Sequence, residues 1–245
     1  MNKQVIVSLD LNDLGKIKSI VKDLDGLVQN YKVGPIPFIY FGLDLIRFLK
    51  DRGLKVMLDM KYHDIPNTVA RACEGAMELG VDLITLHTSG GFSMLEEAIK
   101  ATLMVSDIKN VARPKLLGVT VLTSIDEAYF RDLFGNIERT LEEQVISLVQ
   151  LARSAGMDGV VASPHEVQLI RKQCGKDMLI VTPGIRPSYS LVESDDQARV
   201  MTPKDAIKAG VDHMVIGRPI VKAPSPKEAA EKIIKEIEDG LREIA

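Results

Sequence analysis

Tryptophan is absent from the chain, and aromatic residues make up only 4% of it. So sparse a set argues against a platform on which nucleic-acid bases would stack. Strong charge of one sign is missing too: the net charge is −3 and the pI about 5.9. No global field therefore draws the chain to nucleic acid or to an acidic membrane. There are two cysteines, Cys73 and Cys174, too far apart for a metal or redox motif. Both are expected to be buried small hydrophobes with no disulfide between them. No apolar run is long enough to span a bilayer. The opening Met1-Asn2-Lys3-Gln4-Val5 leads straight into a strand-like stretch without a secretory-signal pattern. The expected compartment is the cytoplasm.

What the chain does contain is apolar material, 46% of 245 residues, enough for a sizeable core. Short apolar runs alternate with longer helical patterns. The runs predict strands at residues 5–9, 27–33, 54–60, 82–86, 115–122, 158–162, 179–182 and 211–216. Between them lie helical patterns at 13–24, 36–51, 66–79, 91–102, 126–133 and 137–154. Later helices open with a capping residue followed by proline: Ser163-Pro164-His165-Glu166, Thr202-Pro203-Lys204-Asp205 and Ser225-Pro226-Lys227-Glu228. In the last helix Ala230, Ile233, Ile234, Ile237, Leu241 and Ile244 keep a period near 3.6, so it docks on the body.

No linker, low-complexity segment or composition shift divides these units. Alternating strands and helices imply parallel strands with right-handed crossovers. Eight such units fit a closed (β/α)8 TIM barrel, a single α/β domain over residues 1–245. An open doubly wound sheet is the alternative, but no G-x-G-x-x-G follows the first strand.

Three charges, Asp59, Lys61 and Asp64, fall within six residues where the third strand gives way to a helix. Asp59 and Lys61 are two apart and so share one side of a strand. Asp64 lies past the strand, before Pro66, which suits a first helical turn. Elsewhere such a triplet would read as a surface ion-pair cluster. In a barrel, ligands bind where the strands end. There the chain also places Asp10, Lys32, Thr123, Arg186, Gly217 and Arg218. Thr182-Pro183-Gly184-Ile185-Arg186 and Ile216-Gly217-Arg218-Pro219 each put a glycine and an arginine after a strand. Glycine lets backbone N–H groups approach an anion, and arginine grips it with a planar fork. The last two strands are the usual phosphate position in this fold. The long polar stretch 187–197 between them reads as a lid or as a passive surface loop. His63, inside the charged motif, could be taken for a metal ligand with Asp59 and Asp64, but Lys61 already supplies the positive charge there. His87 lines the pocket or packs beneath it, and His165 and His213 have no partner visible in sequence.

Asp59-x-Lys61-x-x-Asp64-Ile65-Pro66-Asn67-Thr68 resembles the signature of the orotidine 5′-phosphate decarboxylase family. The segments around Gly184-Ile185-Arg186 and Gly217-Arg218 are similar to that family's phosphate end, and the likeness runs in order from Asp10 to Arg218. The resemblance implies decarboxylation of orotidine 5′-phosphate to uridine 5′-phosphate, in pyrimidine nucleotide synthesis, with no cofactor and no metal. It implies that Lys61 protonates C6 of the pyrimidine, and that Asp59, Asp64 and Lys32 form a charge network around it. Asp10 and Lys32 would contact the ribose, and Thr123 or Ser124 the base edge. Gln197 would bridge base and phosphate from the lid. Pro183, Arg186, Gly217 and Arg218 would form the phosphate end. Asp64, Ile65 and Thr68 would enter the neighbouring subunit's site, which implies a homodimer. Two other readings stay open: a magnesium-dependent sugar-phosphate lyase on the same barrel, and a nucleotide-binding protein without turnover.

Overall fold

A computed structural model describes residues 1–134, 138–190 and 200–244. Among them eight parallel strands close a barrel in sequence order. They are β1 (Asn2–Ser8), β2 (Val28–Val33), β3 (Lys55–Tyr62), β4 (Leu83–His87), β5 (Lys115–Val119), β6 (Gly159–Val161), β7 (Leu179–Thr182) and β8 (His213–Ile216). β8 pairs back onto β1 through Val5 with Met214 and Val7 with Ile216. Outside run α1 (Leu14–Asp23), α2 (Pro35–Lys50), α3 (Pro66–Glu78), α4 (Phe92–Lys109), α5 (Glu127–Phe134), α6 (Leu141–Ser154) and α7 (Val167–Cys174). They are followed by α8 (Pro203–Ala209), α9 (Arg218–Val221) and α10 (Pro226–Ile244). The expected (β/α)8 barrel is the architecture found.

Strand alternation divides the core in two. Outward residues such as Val5, Val7, Val56, Leu58, Ile84 and Ile180 pack with helix residues including Ile17, Leu45, Cys73, Ala98 and Ile233. Inward residues Ile6, Met57, Leu83, Leu117, Val119, Val161, Val181 and Val215 form a separate cluster that plugs the barrel. Two residues further along, the inward set on the first four strands turns polar. Ser8 follows Ile6, Asp59 follows Met57 and Thr85 follows Leu83, while on β2 both Asn30 and Lys32 are polar, and all of these polar residues are buried. An apolar plug with a polar layer on top leaves the C-terminal end of the barrel as the place for ligand chemistry.

The opposite end is held by a repeated device. Gly80-Val81-Asp82, Gly156-Met157-Asp158 and Gly210-Val211-Asp212 lead into β4, β6 and β8, and each glycine has a positive φ. Each aspartate reaches back to the strand before. Asp82 accepts from the Val56 amide at 2.9 Å, Asp158 from Leu116 at 2.8 Å and Asp212 from Ile180 at 2.7 Å. Each also pairs with a cation, Lys50, Arg113 or Arg171. In each case the carboxylate satisfies the amide of the strand's second residue.

Four local features go beyond the strand and helix pattern read from the sequence. The third strand is not evenly paired: its register against β4 shifts between Leu58 and Tyr62, and Lys61 has φ +48°. α2 is kinked at Gly42 (φ 53°, ψ −137°), a conformation glycine adopts without a Cβ clash. α4 continues to Lys109, past the expected end at 102, and stops at Asn110 in a left-handed conformation. The short α9 after β8, opened by Gly217 with Pro219 in its first turn, was not anticipated.

Candidate active site

A cavity of about 640 Å³ opens at the C-terminal ends of the strands. Met57, Val119, Val161 and Val215 of the barrel plug reach its floor, and Val121, Leu122 and Ala162 add an apolar wall. The other wall is charged.

Asp59 is the hub of that wall. The residue is 5% exposed. One oxygen, Oδ2, accepts from Lys61 Nζ at 2.9 Å and lies 3.2 Å from Lys32 Nζ. The other, Oδ1, accepts from the Thr85 hydroxyl at 3.0 Å. Lys32 is 7% exposed and also donates to both oxygens of Asp10, at 3.0 and 3.1 Å. Ser8 completes the chain by donating to Asp10 Oδ2 at 2.6 Å. Two ammonium groups and two carboxylates thus alternate around the rim. Such an arrangement compensates buried charge while fixing every side chain in place. Gly34 makes room for it: a Cβ there would stand 2.8 Å from Asp10 Oδ1 and 2.9 Å from Lys32 Nζ.

Lys61 is the more open of the two lysines, with a third of its side chain exposed, and it lines the cavity. Positive φ is rare for a residue with a side chain and marks local strain, a feature concentrated at functional positions. Its amide no longer fits a regular ladder and donates instead to Thr85 Oγ1 at 3.0 Å.

Asp10, Lys32, Asp59, Lys61, Thr123, Ser124, Pro183, Arg186, Gly217 and Arg218 all line this one cavity, as their positions in sequence anticipate. Arg186 is 7% exposed and donates to the Ile185 carbonyl at 3.1 Å. Backbone bonds from Arg186 N to Met201 O and from Met201 N to Gly184 O close the base of the long segment between them. The segment's beginning is tied to α10, where Ser188 donates to Glu236 through its amide and its hydroxyl. Gln197 lies outside the described residues.

Asp64, Ile65 and Thr68 do not join the cavity in their own chain. The turn after β3 carries them outward, and all three are exposed. The Asp64 carboxylate accepts from the neighbouring Ile65 amide at 2.7 Å, while Lys61 pairs with Asp59. His63 faces another histidine, His87, with ring centroids 5.3 Å apart. Burial, and then the nearby His63 and Lys61, hold His87 below the ordinary imidazole range, with Asp59 opposing. His213 Nδ1 donates to the Lys3 carbonyl at 2.9 Å, at the far end of the barrel.

Sequence reasoning missed four contributors. Ser8 and Thr85 read as ordinary strand residues, and Gly34 as a turn glycine. Lys222, just past α9, is a further cation on the cavity wall. Its signal was its place four residues after Arg218, one helical turn on.

Comparison with known proteins gives a consistent result over almost the whole chain. The family model described as "Orotidine 5'-phosphate decarboxylase / HUMPS family" matches residues 3–233. An orotidine 5′-phosphate decarboxylase of Citrifermentans bemidjiense is 47% identical over 238 residues, 97% of each chain. One from Geobacter sp. (strain M21) is 47% identical over 242 residues, again 97% of each. Among solved structures, orotidine 5′-phosphate decarboxylase from Lactobacillus acidophilus superposes with a TM-score of 0.82 at 38% identity, covering 96% of this chain and 99% of that one.

Proposed function

This chain belongs to the orotidine 5′-phosphate decarboxylase / HUMPS family, and from that premise we propose that it converts orotidine 5′-phosphate to uridine 5′-phosphate in pyrimidine nucleotide synthesis, without a cofactor. The observation that carries the reading is the Asp59 carboxylate holding the Lys61 ammonium at 2.9 Å in a cavity whose other end presents Arg186 and Arg218.

In the reaction the bond from C6 to the carboxylate breaks, and its electron pair remains on C6. That carbanion lies in the plane of the ring and has no simple π delocalisation. Fixed charge aimed at C6 is then the available stabilisation. The Lys61 ammonium supplies it and delivers the proton as carbon dioxide leaves. Solvent later reprotonates the amine. Asp59 fixes Lys61 in direction, and Lys32 and Asp10 carry the network toward the ribose. Thr123 or Ser124 meets the base edge. Pro183, Arg186, Gly217 and Arg218 receive the phosphate, and Gln197 bridges base and phosphate, as the family resemblance implies. Binding the phosphate far from C6 lets remote contacts hold the substrate in its reactive position.

The chain acts as a homodimer in this reading, with Asp64, Ile65 and Thr68 entering the neighbouring site. Exposed apolar residues support this: Ile65 is 67% exposed, and on α2 Ile39 is 79% exposed, with Ile36 and Tyr40 exposed as well. Residues 1–245 form one catalytic unit. No helix among the described residues is long and apolar enough to cross a membrane, and a cytoplasmic location suits the substrate.

The test is ultraviolet absorbance of orotidine 5′-phosphate mixed with the purified chain and excess chelator. Loss of the orotate chromophore, with uridylate as product, is expected. Conversion only after magnesium is added would move the site to a metal-dependent lyase, and binding without conversion would leave a nucleotide-binding barrel. Lys61→Ala is expected to reduce turnover by at least about a hundredfold while uridylate still binds; a near-normal rate would remove Lys61 from the role of proton donor.

A further inference from the structure

Resting on the decarboxylase reading, we infer that Thr85 is a positioning residue for the reaction, setting both the Asp59 carboxylate and the backbone of Lys61 through one hydroxyl. Thr85 sits on β4 and is fully buried. It does not line the cavity, so it acts through its neighbours. Its hydroxyl donates to Asp59 Oδ1 and accepts from the Lys61 amide, both at 3.0 Å.

Both bonds fall where the fold cannot provide an ordinary partner. The β3–β4 ladder loses register between Leu58 and Tyr62, so the Lys61 amide is left without a regular strand acceptor. Lys61 also has a positive φ, a conformation that must be held by its surroundings. The Thr85 oxygen stands in for the missing carbonyl. Asp59 meanwhile directs Oδ2 at both lysines, which leaves Oδ1 in need of a donor inside the protein. A hydroxyl carries one proton to give and lone pairs to accept. Threonine thus answers two opposite demands with a single atom. Its γ-methyl and β-branching restrict the rotamer, which keeps the hydroxyl aimed. Without it, Asp59 gains freedom to turn and Lys61 gains freedom to relax, and the ammonium is no longer fixed relative to C6. The phosphate end, carried by the loops after β7 and β8, is unaffected.

The test compares Thr85→Val and Thr85→Ser with the unmodified chain. Valine preserves shape and removes both hydrogen bonds; serine restores both. The expected result is a fall in kcat of at least tenfold for Thr85→Val, with KM and uridylate affinity within threefold of the unmodified values. Thr85→Ser should recover kcat to within about threefold, as restored hydrogen bonding predicts. Should Thr85→Val fail to fold, Thr85→Ala serves instead, assayed at a temperature where circular dichroism shows native signal. An unchanged kcat in the valine or alanine variant would overturn the inference. So would a loss that serine does not rescue, or one shared equally by kcat and uridylate affinity. Turnover by the unmodified chain tests the decarboxylase reading separately, so the two can fail independently.

Discussion

Replacing Lys61 by glycine and by alanine separates what the residue does for chemistry from what its backbone does to stability. Both variants remove the ammonium and its bridge to Asp59, so those losses cancel between them. Both keep the amide that donates to Thr85 Oγ1 at 3.0 Å. What differs is the Cβ. At φ +48°, a residue with a Cβ carries a penalty of about 1–2 kcal/mol, which glycine escapes. Glycine loses more chain entropy on folding, about 0.5–1 kcal/mol relative to alanine. Taken at the midpoints, the difference favours Lys61→Gly by about 0.75 kcal/mol, the reverse of the order in an ordinary strand. For a chain of this size that corresponds to a thermal midpoint roughly 1.5–3 °C higher. Urea unfolding and thermal melts of the two proteins, followed by circular dichroism, would read it. Neither variant should turn over substrate. If Lys61→Ala proved the more stable, the left-handed backbone would be carrying no strain, and the argument that the site is held in a tensed conformation would fail.

Arg218→Ala should raise KM for the phosphorylated substrate by at least tenfold and weaken uridylate binding similarly, with a smaller effect on kcat; steady-state kinetics and calorimetry would show it, and unchanged affinity would move the phosphate elsewhere. Asp158→Ala should destabilise the fold by about 2–4 kcal/mol, because it strands the Leu116 amide and leaves Arg113, whose Nη1 already lacks a partner, without its carboxylate. Turnover under folding conditions should be unaltered, since the change lies at the opposite end of the barrel from the cavity, and urea titration against kcat would test both halves. Burial, and then Glu74 beside it, pushes the Cys73 thiol up to about 12 from an ordinary value near 9. The folded state therefore favours the neutral thiol, a contribution complete below about pH 9 and lost as pH rises toward 12. A thiol reagent at pH 8 should modify Cys73 in urea and leave it untouched in the folded chain; rapid labelling of the native protein would contradict the buried placement.

The sequence by itself determined the order and number of the strand–helix units. Apolar runs bounded by turn residues are local signals, and parallel strands in sequence order follow from the length of each crossover. It also determined which residues reach the cavity rim, because Asp10, Lys32, Asp59, Lys61, Thr123, Arg186 and Arg218 each stand at or near a strand's end. The Gly-x-Asp repeat before β4, β6 and β8 was legible too, had the chain been compared with itself. Other features belong to the tertiary structure alone. Nothing in Leu83-Ile84-Thr85-Leu86-His87 sets Thr85 apart from a core threonine until a slipped β3 brings Asp59 and the Lys61 amide to its hydroxyl. The share that Asp59 has in two lysines, with Asp64 turned outward, likewise depends on where the chain bends after the strand. Strand pattern is set by neighbours in sequence, and so it can be read there. Hydrogen-bond direction, register slips and the sign of one φ are set by atoms from distant segments meeting in space, and only the closed barrel brings those atoms together.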